Sequence, residues 1–295
     1  MFHARMVRTV VSIVLLTRLL TAQAEQAVEI RFGAALGSVS FSCGQVYSGV
    51  GSSNSSVTPA DYRYFVHGVT LFDESGKRVP LQMEQDGIWQ YRDVALLDFE
   101  DGSGPCLNGN SALNTSIRGT VPDGRYSGLE FTLGVPFDLN HLDVTTAPSP
   151  LNLSAMFWNW QGGHRFLKVD LSTAGQPIRR GGGEDGQRPM RGEAAAGFPI
   201  HLGSTGCASD SRTTAPIGVC AHPNRVTVRF DGFDPARNIA VADILAVLPD
   251  TNVDINAPET APGCMSGPTD TDCLEIMGAL GLGEGTDPQR LFRMD

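Results

Sequence analysis

Three histidine-bearing stretches and a pair of tryptophans carry the chemistry open to this chain. Met156-Phe157-Trp158-Asn159-Trp160-Gln161-Gly162-Gly163-His164 holds two of the three tryptophans and one of the six histidines. His141 follows Phe137-Asp138-Leu139-Asn140, and His201 opens His201-Leu202-Gly203-Ser204-Thr205-Gly206-Cys207. Neutral imidazoles brought together from distant strands bind transition metals, and His141, His201 and His164 are the candidate ligands. His67 is a fourth histidine in a strand-like setting. Imidazole suits copper, zinc, iron and nickel alike, so histidine does not name the metal. No H-x-H or H-E-x-x-H spacing occurs, so a short-motif zinc site is not indicated. The bland reading of Trp158 and Trp160 is two core aromatics. Their polar and flexible flank, Asn159, Gln161, Gly162, Gly163 and His164, is better suited to the wall of a site.

Other chemistries fail on detail. Gly203-Ser204-Thr205-Gly206 is not a G-x-S-x-G nucleophile elbow. Asp98, Glu100 and Asp101 sit on a turn without the EF-hand pattern. Gly281-Leu282-Gly283-Glu284-Gly285 follows a helical stretch instead of opening one, so it is no nucleotide fingerprint. The absence of C-x-x-C disfavours a zinc knuckle, and the absence of C-x-x-C-H leaves the chain without a c-type haem of its own.

The elements that must position these residues read as short strands. Residues 27–32, 62–71, 79–83, 89–97, 115–121, 129–135, 166–171, 198–202 and 225–230 alternate or are rich in β-branched and aromatic residues. Residues 41–47 continue the set around Cys43. Met156, Trp158 and Trp160 fall at period two, which on a strand puts them on one face. Asp73-Glu74-Ser75-Gly76 and Pro122-Asp123-Gly124 are turns between strands. Residues 239–241 read as strand, 243–248 and 274–280 as short helices. The fold class is all-β: a disulfide-stabilised β-sandwich with long loops and short C-terminal helices. Residues 172–197, with Gly181-Gly182-Gly183 and Arg179, Arg180, Arg188 and Arg191, form a flexible Gly/Arg-rich loop. Residues 249–295 are a disulfide-closed C-terminal extension of a single domain that begins at residue 25.

Residues 1–24 read as a cleaved export signal. Arg5 and Arg8 precede an apolar run, and Ala22-Gln23-Ala24 is a small-x-small cleavage site. Arg18 within that run argues against a permanent membrane anchor. Loss of Arg5, Arg8 and Arg18 with the signal takes the formal charge from −10 to −13, a balance that does not suit nucleic acid. Six cysteines on an exported chain favour disulfides, with fifteen pairings formally open. The short loops suggest Cys207–Cys220 and Cys264–Cys273, leaving Cys43 with Cys106.

Six segments together resemble one family. They are Val94-Ala95-Leu96-Leu97-Asp98-Phe99-Glu100-Asp101-Gly102, Arg118-Gly119-Thr120-Val121-Pro122, Phe131-Thr132-Leu133-Gly134-Val135-Pro136-Phe137, Leu139-Asn140-His141, the Met156–Gly163 stretch, and His201–Cys207. Cys264-Met265-Ser266-Gly267-Pro268 also fits. The chain resembles the MbnP-like copper-binding proteins, the "metallo-mystery pair" four-cysteine family. The resemblance implies a periplasmic, non-catalytic copper binder serving copper handling or storage. It implies that a diheme partner of the MauG/peroxidase type oxidises a tryptophan, Trp160 or Trp158, to kynurenine, which joins the histidines at copper. His141 and His201 lie in family motifs. His164 is a weaker match, and the arginine-rich insert departs from the pattern. Two other functions stand beside this one: a copper-dependent redox enzyme, and a metal-free carbohydrate-binding or adhesion sandwich with the tryptophans as a stacking platform.

Overall fold

The computed structural model describes residues 24–107, 109, 111–176, 197–283 and 288–295. All but the last residue of the expected export signal, 1–24, and residues 177–196 of the expected Gly/Arg-rich loop lie outside them. Two sheets pack face to face, as the strand-rich sequence requires.

The first sheet is built on β1 (Glu25–Leu36), whose buried Ile30, Phe32 and Ala34 recur at period two. The second is built on β2 (Ser55–Asp73), a 19-residue strand. It pairs in turn with β3 (Val94–Asp98), β5 (Tyr126–Leu133) and β8 (Leu167–Ser172). In the first sheet β1 lies between β4 (Ser116–Pro122) and, in parallel, β11 (Ile239–Asp243), with β12 (Phe292–Met294) outside β11. In the second sheet β9 (Phe198–Leu202) closes one edge beside β8, and β10 (Val226–Asp231) lies beyond β5. A two-stranded ribbon, β6 (Phe157–Asn159) with β7 (Gly163–His164), carries the tryptophan stretch.

Aromatic side chains fill the space between the sheets. Phe32 meets Phe131 edge-on at 5.3 Å between ring centroids, and Tyr64 meets Phe292 at 5.5 Å. Tyr62 donates from its hydroxyl to the Ala242 carbonyl at 2.8 Å, which satisfies a buried phenol across the sandwich.

Several strand expectations change. Residues 79–83 and 89–97 each break into two short strands, Arg78–Pro80 with Gln82–Met83 and Gln90–Tyr91 with Val94–Asp98. Residues 41–47 do not form one strand; the regular pieces are Val39–Ser40 and Tyr47–Val50. The tryptophan strand is only Phe157–Asn159, because Met156 belongs to a single 3-10 turn and Trp160 opens the turn into Gly163. Trp158 and Trp160 therefore do not share a strand face. The C-terminal extension also returns to the body: β12 pairs with β11, and Phe292 is buried in the inter-sheet core. The disulfides are Cys43–Cys106, Cys207–Cys220 and Cys264–Cys273, the pairing suggested by loop length. Of the two expected short helices, 274–280 is α2 (Leu274–Ala279) and 243–248 is a 3-10 helix over Ile244–Val247; the α1 helix (Phe137–Asn140) lies much earlier in the chain.

Candidate metal centre

The tryptophan ribbon is the hub on which the histidine segments converge. Asn140, at the end of α1, ties two of them together. Its side-chain oxygen accepts from the His164 backbone N–H at 2.9 Å, and its amide donates to His141 Nε2 at 3.1 Å. Its backbone carbonyl faces His164 Nδ1 at 2.8 Å. Gly163 has φ +76°, and a Cβ there would meet the Asn140 side-chain nitrogen and carbonyl oxygen at 2.5 Å, so this close approach requires glycine.

His141 is buried, and its Nδ1 donates to the Trp160 carbonyl at 3.1 Å. That leaves the lone pair on Nε2, where Asn140 sits. Burial lowers the His141 pKa against the opposing pull of the Trp160 carbonyl, so the ring is held neutral, as a metal ligand must be. Cys207 and Cys220 offer sulfurs that lie, with a His141 ring nitrogen, within 4.8 Å of one another. Both sulfurs are tied up in the Cys207–Cys220 disulfide, so the strong donor of that cluster is the imidazole.

His164 is fully buried, and both its nitrogens face carbonyls: Asn140 on one side and Leu151 at 2.9 Å on the other. Whichever nitrogen carries the hydrogen, the other already points at main chain. In this arrangement His164 spans α1, the loop at Leu151 and β7, and offers no outward lone pair.

His201 has the opposite character. Its Nε2 lies 2.7 Å from Asp170 Oδ1, while its Nδ1 is buried with no hydrogen-bond partner. Burial lowers the His201 pKa and the Asp170 contact works against it, with Arg165 and Lys168 adding to the lowering. Burial would raise the Asp170 pKa, but the His201 hydrogen bond and the Lys168 ammonium outweigh it and hold the carboxyl well below the usual range. Trp158 presses on the same segment. A Cβ on Gly203 would meet Trp158 Cζ3 at 2.4 Å, so glycine two residues after His201 makes room for the indole. The Arg165 guanidinium stands 5.9 Å from the Trp158 ring centroid.

A charged ladder lies beneath His201. Register puts His201 opposite Lys168, Lys168 opposite Arg63, and Arg63 opposite Asp98, across four adjacent strands. Asp170 stands opposite Asp61 in the next row. Directly opposed residues share a face of the sheet. Arg63 grips both oxygens of Asp61, with Nε at 2.8 Å from one of them, and Lys168 bridges Asp61 and Asp170, lying 2.8 Å from Asp170 Oδ2. The residues sequence reading missed are these: Asp61, Arg63, Lys168 and Asp170. Their signal was the alternation Leu167, Val169, Leu171 against Lys168, Asp170, which marks a polar face without saying that it is buried.

Among the described residues the three histidines do not form one preassembled three-ligand cluster. His141 and His164 meet through Asn140, whereas His201 belongs to the ladder. The open donor for a nitrogen-binding metal is Nδ1 of His201; Nε2 of His141 becomes one when the Asn140 amide releases it. The described residues contain no helix long and apolar enough to cross a membrane.

Comparison with known proteins places the fold. None of the curated proteins compared with the chain is a match. A solved structure of MbnP from Methylosinus trichosporium superposes with a TM-score of 0.76 at 32% sequence identity, covering 92% of this chain and 98% of that one. The family model described as MbnP matches residues 25–266, a span that takes in every strand of both sheets except β12, the tryptophan ribbon and all three histidine segments, and the chain belongs to the MbnP family.

Proposed function

We propose that this protein is an exported, non-catalytic copper-binding protein of the periplasm, acting in copper handling or storage. His141 and His201 supply imidazole nitrogens to the ion. A third nitrogen or oxygen donor comes from an oxidised tryptophan, Trp160 or Trp158, made into kynurenine by a diheme partner of the MauG/peroxidase type. His164 is a further donor only if it releases Leu151 or Asn140. Family membership supports copper, and the carrying observation is the buried, unpartnered Nδ1 of His201. A lone pair shut away from water and from protein donors costs free energy unless something fills its place. Both imidazoles are kept neutral by burial, which suits a soft to borderline cation.

An intact indole is a poor ligand, because its nitrogen lone pair belongs to the ring. Opening the pyrrole ring exposes an aryl amine and a carbonyl. The conversion needs a strong oxidant, which a diheme partner would supply and no side chain here does. Both tryptophans touch the histidine segments: the Trp160 backbone carbonyl holds His141 Nδ1, and the Trp158 ring packs on Gly203, two residues after His201.

The test is a copper titration against a chromophoric competitor, with peptide mass spectrometry of protein from its native host. His141→Ala and His201→Ala should each weaken copper binding at least ~10-fold. The peptide spanning Trp158 and Trp160 should carry one indole that has lost a carbon and gained an oxygen. Wild-type affinity in both alanine variants would refute the ligand assignment, and intact indoles in copper-loaded native protein would refute the modification.

A further inference from the structure

We propose that Asp170 is the positioning residue of the metal centre: it fixes the tautomer of His201, and Lys168 fixes Asp170. The inference rests on His201 being a ligand, as argued above. A neutral imidazole carries a single ring hydrogen, and the nitrogen without it is the one that can bind a metal. His201 Nε2 lies 2.7 Å from Asp170 Oδ1, a carboxylate oxygen that can only accept. The hydrogen therefore sits on Nε2, and the lone pair sits on Nδ1, the atom left buried without a partner. A carboxylate on the far nitrogen of a ligating histidine both orients the ring and strengthens the nearer nitrogen as a donor.

The carboxylate is itself held from behind. Lys168 Nζ lies 2.8 Å from Asp170 Oδ2 and also contacts Asp61, which Arg63 clamps through two nitrogens. Lys168 and His201 are directly paired across β8 and β9, so sheet register sets where the ammonium stands. With one oxygen on Lys168 and one on His201, the Asp170 carboxylate is held in the plane of the pair. The Arg165 guanidinium, on the residue stretch leading into β8, is the remaining cation that acts on both His201 and Asp170.

The consequence is an asymmetric response to a nearly isosteric change. In Asp170→Asn the Lys168 ammonium claims the amide oxygen, because it can only donate. The amide nitrogen then faces His201 Nε2 and donates to it. The ring must accept at Nε2, its hydrogen moves to Nδ1, and the lone pair is withdrawn from the metal. Adding Lys168→Gln removes the fixed donor, lets the introduced amide turn over and restores the original tautomer.

The experiment is side-chain nitrogen NMR of His201 in the metal-free full-length mature protein, run beside the copper competition titration. Wild-type protein should show a protonated Nε2 and a bare Nδ1. Asp170→Asn should invert that pattern and weaken copper binding about 10–100-fold, with the double variant recovering tautomer and affinity together. A wild-type His201 protonated at Nδ1 overturns the proposal without any variant, so misfolding of a mutant cannot shield it. An inverted tautomer with unchanged copper affinity overturns it as well. If His201→Ala leaves copper binding intact, the ligand reading fails; if that variant weakens binding while Asp170→Asn does not, only the present inference fails.

Discussion

Arg63 shows how much a single side chain can be asked to do. It is fully buried, clamps Asp61, and stands 3.5 Å from a Glu100 oxygen. Replacing it with methionine roughly keeps the volume but leaves Glu100 as a buried carboxyl without its cation and Asp61 with Lys168 alone. Loss of one partner from such a pair costs about 3–5 kcal/mol, and urea unfolding of Arg63→Met should show a loss of that size. Asp98, opposite Arg63, is pushed up to about 7 by burial, against the pull of the guanidinium. The folded-state value lies above the unfolded one, so the native state holds the proton more tightly. The stabilising contribution is present below about pH 4 and is lost as pH rises toward about 7. Asp98→Asn removes that titration. Relative to wild type the variant should gain stability steadily between those limits, read as the difference in urea midpoints; a pH-independent difference would contradict the assignment.

At the scale of elements, β9 and the tryptophan ribbon are fitted together by a missing side chain. Gly203→Ala puts a methyl 2.4 Å from Trp158 Cζ3, inside any contact a real carbon makes. The indole must move or the strand must yield. A loss of about 1–3 kcal/mol is expected for overpacking of this kind, together with an altered near-ultraviolet circular dichroism signal from Trp158. A wild-type tryptophan spectrum would mean that the indole is not held by this contact. The outer edge of β9 is covered in turn by the C-terminal segment. Cys264 exchanges backbone hydrogen bonds with Pro199 and His201, and Ser266 donates to the His201 carbonyl while accepting from Gly203 N–H. An exposed strand edge invites pairing with other chains, and this cover removes the invitation while locking the backbone of the proposed ligand.

For the whole molecule, metal binding and folding are linked. An ion that binds only the native state stabilises it in proportion to the logarithm of its concentration over its dissociation constant. At a free copper concentration about a hundred times that constant the gain is about 2.7 kcal/mol. Copper should therefore raise the unfolding temperature of the wild-type protein. His201→Ala should lose most of that rise while keeping a cooperative transition, because the core of Tyr62, Tyr64, Phe131 and Phe292 is untouched. An equal rise in both proteins would place copper elsewhere.

The sequence by itself determined the class of fold and most strand positions, because period-two burial is a local property; it suggested the two short cysteine loops, and the structure decided the pairing. It also determined that His141, His201 and the tryptophan pair belong to motifs worth connecting. What it could not show is which imidazole nitrogen is free. The hydrogen bonding of His164 and His201 cannot be read from a string of letters, yet one is saturated by main-chain carbonyls and the other is left with a bare nitrogen. Asp170 is 31 residues from His201, and only antiparallel pairing of β8 with β9 brings it to the ring. Hydrogen-bond direction and strand register are long-range facts, decided when the sheets close, and on them the donor character of the site depends.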